Sequence, residues 1–150
     1  MQPTATKPSE LYEQDFYQWA MANAALIREG RIAELDFENL AEEIESLGRS
    51  ERHQLDSRLT MLLTHLLKRE LQPHKRDNRS WLTSIVNQRI RLARVLKMSP
   101  GLRRFLSEAV ADSYPQAVRV ARTQTAETGT PLPAECPWTV EQLLDPGYLP

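Results

Sequence analysis

The chain has 150 residues, 41% hydrophobic and 26% charged, with three tryptophans and five glycines, a composition that excludes a disordered chain and suits one domain burying a continuous core. A single cysteine, Cys136, excludes an intrachain disulfide, and no run approaches the roughly 18 apolar residues of a membrane span. The net charge of −1 conceals an asymmetry: Glu10 to Asp56 holds twelve acids against four bases, a net of −8, while Lys68 to Arg104 holds eleven bases against two acids, a net of +9.

Pro8 and Ser9 open a first helix whose apolar stripe is Tyr12, Phe16, Trp19, Asn23 and Leu26, with Gly30 as its stop. Asp36 caps a second helix with the stripe Leu40, Ile44, Leu47, Leu55, Leu59, Leu62 and Leu66, ending before Pro73. If continuous from Asp36 to Leu71, this helix spans roughly 50 Å at about 1.5 Å per residue. Gly48 is its weak point, since a mid-helix glycine costs about 1 kcal/mol against alanine and a kink there is the rival reading.

Asn78 or Ser80 opens a third helix that turns Trp81, Ile85, Leu92 and Leu96 inward, places Arg89, Arg91, Arg94 and Lys97 on other faces, and ends near Met98. Ser99 and Pro100 read as an N-cap and first helical residue of a fourth helix through Leu102, Leu106 and Val110. Pro115 removes an amide donor, so a kink or restart is expected near Tyr114 before Val118 and Ala121 carry the stripe towards Gly129. The proline-rich tail TPLPAECPWTVEQLLDPGYLP carries a capping-box pair, Thr139 and Gln142, and the apolar residues Trp138, Leu143, Leu144, Tyr148 and Leu149. The expected fold is therefore all-α: a helical bundle of about four main helices, one of them long, with a proline-rich C-terminal wrap over residues 130–150. One domain is expected over 1–150, with residues 1–8 flexible. The leading MQPTATKPSE has no apolar export region, which points to the cytoplasm.

The segments LYEQDFYQWA, LDFENLAEEIESLGRSER, LLTHLLKRELQP, RSW and the CPW and EQLLD of the tail, in this order over nearly the full length, resemble the bacterial domain-of-unknown-function family number twenty-nine. The resemblance implies a small all-α protein of cyanobacteria and other bacteria, and it adds fold rather than chemistry. Pro115 departs from the family pattern, which again points to a bent fourth helix.

Candidate sites are few. Asp36, Glu38, Glu42, Glu43 and Glu45 line the first turns of the long helix, where acids complement the macrodipole. Glu42 and Glu45, with Asp15, would serve a divalent metal only if a facing helix brought further ligands. His53 and His65 lie roughly 18 Å apart along one helix, no glutamate stands three residues before a histidine, and Cys136 is alone, so no metal and no cofactor is expected. No glycine-flanked serine elbow or phosphate-cradling loop is present. The basic turn supplies the remaining residues: His65 and Lys68 on the long helix, then Lys75, Arg76 and Arg79, with Trp81 as a possible stacking ring. Together these give a candidate surface of Glu42, Glu45, His65, Lys68, Lys75, Arg76 and Arg79, with Glu42 or Glu45 of a neighbouring chain meeting His65 and Lys68. The leading reading is a non-enzymatic protein-interaction or self-association module with a protein partner or a second copy. The alternatives are a nucleic-acid-binding protein using 68–104 and, third, a metal-dependent hydrolase.

Overall fold

A computed structural model describes residues 7–150, and among them every regular element is helical. The flexibility expected of residues 1–8 concerns, for its first six residues, a segment outside that range. The α-helices are α1 (Pro8–Gln14), α2 (Phe16–Arg28), α3 (Phe37–Leu71), α4 (Arg79–Met98), α5 (Leu106–Thr125) and α6 (Val140–Leu144). Short 3-10 turns at Ile32–Glu34, Pro73–Lys75 and Pro100–Phe105 join them. The chain divides into two compact units, one ending at Arg49 and the other spanning Ser50–Pro150.

In the first unit the single helix expected before Gly30 is two helices. Asp15 leaves helical geometry at φ −153°, and its carboxylate accepts the Gln18 amide at 2.9 Å, so the residue that ends α1 caps α2. Beyond the break the stripe holds in part, for Trp19, Asn23 and Leu26 are buried while Phe16 is 52% exposed. Gly30 adopts φ +71°, the left-handed geometry that suits glycine just past a helix.

The long helix is continuous through Gly48, as expected, and covers 35 residues. Its first half departs from the predicted stripe: Ile44 and Leu47 are 65% and 70% exposed, whereas Leu55, Leu59, Leu62 and Leu66 are fully buried. Helical spacing specifies which residues share a face and leaves open whether anything covers it.

The second unit holds the hydrophobic core, made by the second half of α3, α4, α5 and the tail. Asn78, rather than Ser80, caps α4, its side chain accepting the amides of Ser80 and Trp81 at 3.0 and 3.3 Å. Arg89 corrects a further expectation. It is 6% exposed rather than on an outer face, and its guanidinium donates to the carbonyls of Leu143 and Gln142 at 2.8 and 3.3 Å. Those carbonyls at the end of α6 lack intrahelical partners, which is why a cation is held there.

Ser99 does not cap a fourth α-helix, because its hydroxyl donates to Glu51 at 3.2 Å and a 3-10 segment runs from Pro100 to Phe105 before α5 begins. α5 then passes through Pro115 without a restart. Pro115 and Ala111 both lie on the exposed side, so the carbonyl of Ala111, deprived of its amide donor, faces water. The helix stops at Thr125 rather than Gly129: Ala126 turns left-handed at φ 54°, and the Glu127 carboxylate accepts the Gly129 and Thr130 amides.

In the tail, Thr139 and Gln142 form the predicted capping box of α6. Trp138 and Leu143 are part of the core, and the Tyr114 hydroxyl donates to the carbonyl of Pro133 at 3.0 Å.

Candidate functional site

The residues picked out by sequence fall into two groups. Glu42 and Glu45 belong to the first unit, whereas His65, Lys68, Lys75, Arg76 and Arg79 belong to the second. Arg49, one to two turns further along α3, pairs with Glu42 at 2.7 Å and Glu45 at 3.5 Å, so both acids form a solvated ion-pair cluster on one helix. Asp15 is taken up as a cap, and among the described residues no three His, Cys, Asp or Glu side chains converge as a metal site.

Much of the basic group is turned to internal use. Lys68 sits 4.8 Å from the centre of the Trp81 ring and donates to Gln124 at 3.1 Å, and burial pulls its pKa down. Trp81 is itself buried, which removes it as a platform for an incoming base. One turn back on α3, His65 is half-buried with Nδ1 unpaired among the described residues. Burial, then the neighbouring Lys68, lowers its pKa, so the ring is neutral at pH 7. Arg69 is buried and donates to the carbonyls of Arg76 and Pro150, fastening the turn that follows α3. Lys75, Arg76 and Arg79 remain exposed on that turn.

Two hollows in the second unit were not legible in the sequence, because their walls come from segments distant in the chain. The larger, about 930 Å³, lies between α5 and the tail, lined by Leu106, Val110, Tyr114, Cys136, Trp138 and Leu144 among others. Burial raises the Cys136 thiol pKa, and the thiol donates to the Trp138 carbonyl at 3.5 Å, so it is held in its unreactive form. The smaller, about 450 Å³, brings His53, Asp56, Ser57, Asp112 and Ser113 to one surface. Ser113 donates to the backbone of Asp56 at 3.3 Å, and neither serine is hydrogen-bonded to His53 among the described residues, so no nucleophile with a paired base is assembled.

Polar groups inside the first unit serve its architecture. The Trp19 indole donates to Asp36 at 2.8 Å, Asn23 accepts the Asp36 amide at 3.0 Å, and Asn39 donates to the same carboxylate at 2.8 Å. The Tyr12 hydroxyl donates to Glu43 at 2.6 Å, which together with burial and nearby carboxylates pushes its pKa up to about 12. Tyr12, Phe16 and Trp19 stack with ring centres 4.9–6.0 Å apart.

What remains unsatisfied in this unit is apolar. Phe16, Tyr17, Met21, Ile27, Ile32, Phe37, Ile44 and Leu47 are each at least half exposed, up to 73% at Tyr17, while among its described residues only Trp19, Asn23 and Leu26 are buried. Scattered exposed apolar residues are ordinary, but eight large ones between Phe16 and Leu47 are a concentration that water solvates poorly. Sequence reading missed this because Phe16, Ile44 and Leu47 fit a core stripe.

Comparison with curated proteins finds no match, and neither does comparison with solved structures. The family model described as Domain of unknown function DUF29 matches residues 11–149, nearly the whole chain, and the chain therefore belongs to that family.

Proposed function

We propose that this chain is a non-enzymatic protein-interaction module whose binding surface is the bare apolar side of its first unit. The observation that carries the reading is the concentration of half-exposed aromatic and aliphatic side chains before Arg49. Binding interfaces concentrate such residues at their centres, with charge at the rim. Glu42, Glu45 and Arg49 suit that rim, being exposed and mutually paired.

Nucleic-acid binding through the basic segment has weaker support. Arg69 and Arg89 are spent on backbone carbonyls and Lys68 on a buried ring, leaving charge without an aromatic platform. Metal-dependent hydrolysis has weaker support still, since the acids nearest one another are tied to Arg49.

The test is site-specific photocrosslinking in cells, with the photoreactive residue placed at Tyr17 in one chain and at Arg76 in another. Discrete protein adducts from position 17, and few from 76, are expected. Nucleic-acid adducts concentrated at 76, with binding that weakens steeply as salt rises, would overturn the reading in favour of the basic turn.

A further inference from the structure

We infer that the outer face of α4 is a further docking surface, and that its occupant is an acidic amphipathic segment of another protein. The inference concerns the second unit and does not depend on the reading of the first. Val86, Ile90 and Ala93 recur at spacings of four and three, one stripe along a single helix. All three are exposed, Val86 at 52% and Ile90 at 62%, while Ile85, Leu92, Val95 and Leu96 on the other side of the helix are packed into the core. Valine and isoleucine are β-branched and form helix less readily than alanine, lysine or glutamate, so a solvated face gains nothing from them. The folding of α4 does not account for them, whereas contact with a partner does.

Charge frames the stripe. Arg79 and Lys97 stand at its two ends and Arg91 and Arg94 along one edge, all four exposed. No acid occurs between Asp77 and Glu108, and the ion pairs among the described residues involve none of the four. Arg91, Arg94 and Lys97 follow one another at spacings of three, which sets like charges side by side and destabilises the helix. Glu51 comes to the C-terminal end of α4, where its carboxylate accepts the Ser99 hydroxyl at 3.2 Å instead of pairing with Arg94.

An apolar centre with cations at its ends and edge fits a segment that carries its own apolar stripe flanked by carboxylates. Three of the four cations are arginines, whose guanidinium groups bind carboxylates through two parallel hydrogen bonds. Phosphate-bearing partners match less well. Nucleic acid would set its backbone against Val86 and Ile90, and Trp81, the aromatic ring of α4, is buried. A membrane surface calls for a broad apolar face, and here Val86 and Ile90 are enclosed by charge.

Arg79 and Lys97 lie about 27 Å apart along the helix, so the probe is a helical peptide of about 18 residues. It carries leucines at i, i+4 and i+7, with glutamates at both ends and beside the stripe, and a dye for anisotropy titration against the full chain. Binding with a Kd of roughly 100 μM or tighter at low salt is expected, with NMR amide shifts gathered at Val86, Ile90, Arg94 and Lys97. Ile90→Ser should weaken it about tenfold, and Arg91→Gln with Arg94→Gln about fivefold. Ile44→Ser, in the first unit, should leave it unchanged. These positions are all exposed, and circular dichroism checks that each variant is folded. A peptide of the same composition in scrambled order should bind at least about tenfold more weakly. A Kd above about 1 mM for the ordered peptide, or binding indifferent to Ile90→Ser, overturns the inference. So does a rival occupant: vesicles of phosphatidylserine and phosphatidylcholine, or a duplex oligonucleotide, bound more tightly than the peptide, or a chain that self-associates alone and becomes monomeric with Ile90→Ser.

Discussion

Leu143→Ala tests whether the tail is part of the fold's energetics. Leu143 is fully buried in a helix of five residues, far below the length at which a helix persists alone. Its hold on the core, with Trp138 and the Arg89 clamp, is therefore what keeps the tail folded. Truncation removes the transfer free energy of the lost carbons, at about 0.8 kcal/mol each, and leaves a cavity; Leu→Ala changes span about 2.7–5.0 kcal/mol. A short tail can settle into part of the hole, so the lower end applies, about 3 kcal/mol. For a unit of this size, at about 4 °C per kcal/mol, the Tm falls by roughly 10 °C. Leu149→Ala supplies the control: it is the same change in the same tail at a residue 47% exposed, expected within about 0.5 kcal/mol of wild type. Thermal melts followed by circular dichroism, with urea titrations for ΔG, make the measurement. A loss below about 1 kcal/mol at Leu143, or one equal to that at Leu149, would refute the claim that the tail is a core element.

Two further outcomes follow from buried polar groups. Arg89→Met strands the Leu143 and Gln142 carbonyls and should cost about 1–3 kcal/mol in urea titration. Combined with Leu143→Ala it should be less than additive, since each change releases the same helix. His65 has its pKa lowered by burial and by Lys68, so the folded state resists protonation that the unfolded chain accepts from about pH 6.5 downward. Its contribution is present above that pH and lost as pH falls towards the depressed value, so His65→Leu should flatten the pH dependence of stability in that window, and an unchanged slope would show that the ring is not buried neutral.

Legibility in the sequence followed the range of the interaction involved. Local signals were readable: Thr139 with Gln142, Asn78 as one of two caps offered, and the second half of the α3 stripe all rest on residues within a few positions of each other. Asp15 escaped notice because the stripe keeps its phase across the break, and only the backbone shows that two helices share it. Pro115 brings no restart of α5, because its cost depends on the exposure of the Ala111 backbone, a question of tertiary structure. The candidate site suffered most. The placement of Lys68 over Trp81, and of Arg89 on the tail, needs the return of α4 along α3 and the closure of the tail. Neither spacing nor composition carries that information.

The lone Cys136 gives this molecule a built-in clock. Its thiol belongs to the tail itself, half-buried, held protonated and bonded to the Trp138 carbonyl, so a thiol reagent reacts slowly until that segment lifts. Alkylation then proceeds at the free-thiol rate multiplied by the fraction of time the segment is open, and the ratio of the two rates reads out a local opening free energy distinct from global unfolding. With no second cysteine to compete, each labelled molecule records one opening of the same few residues.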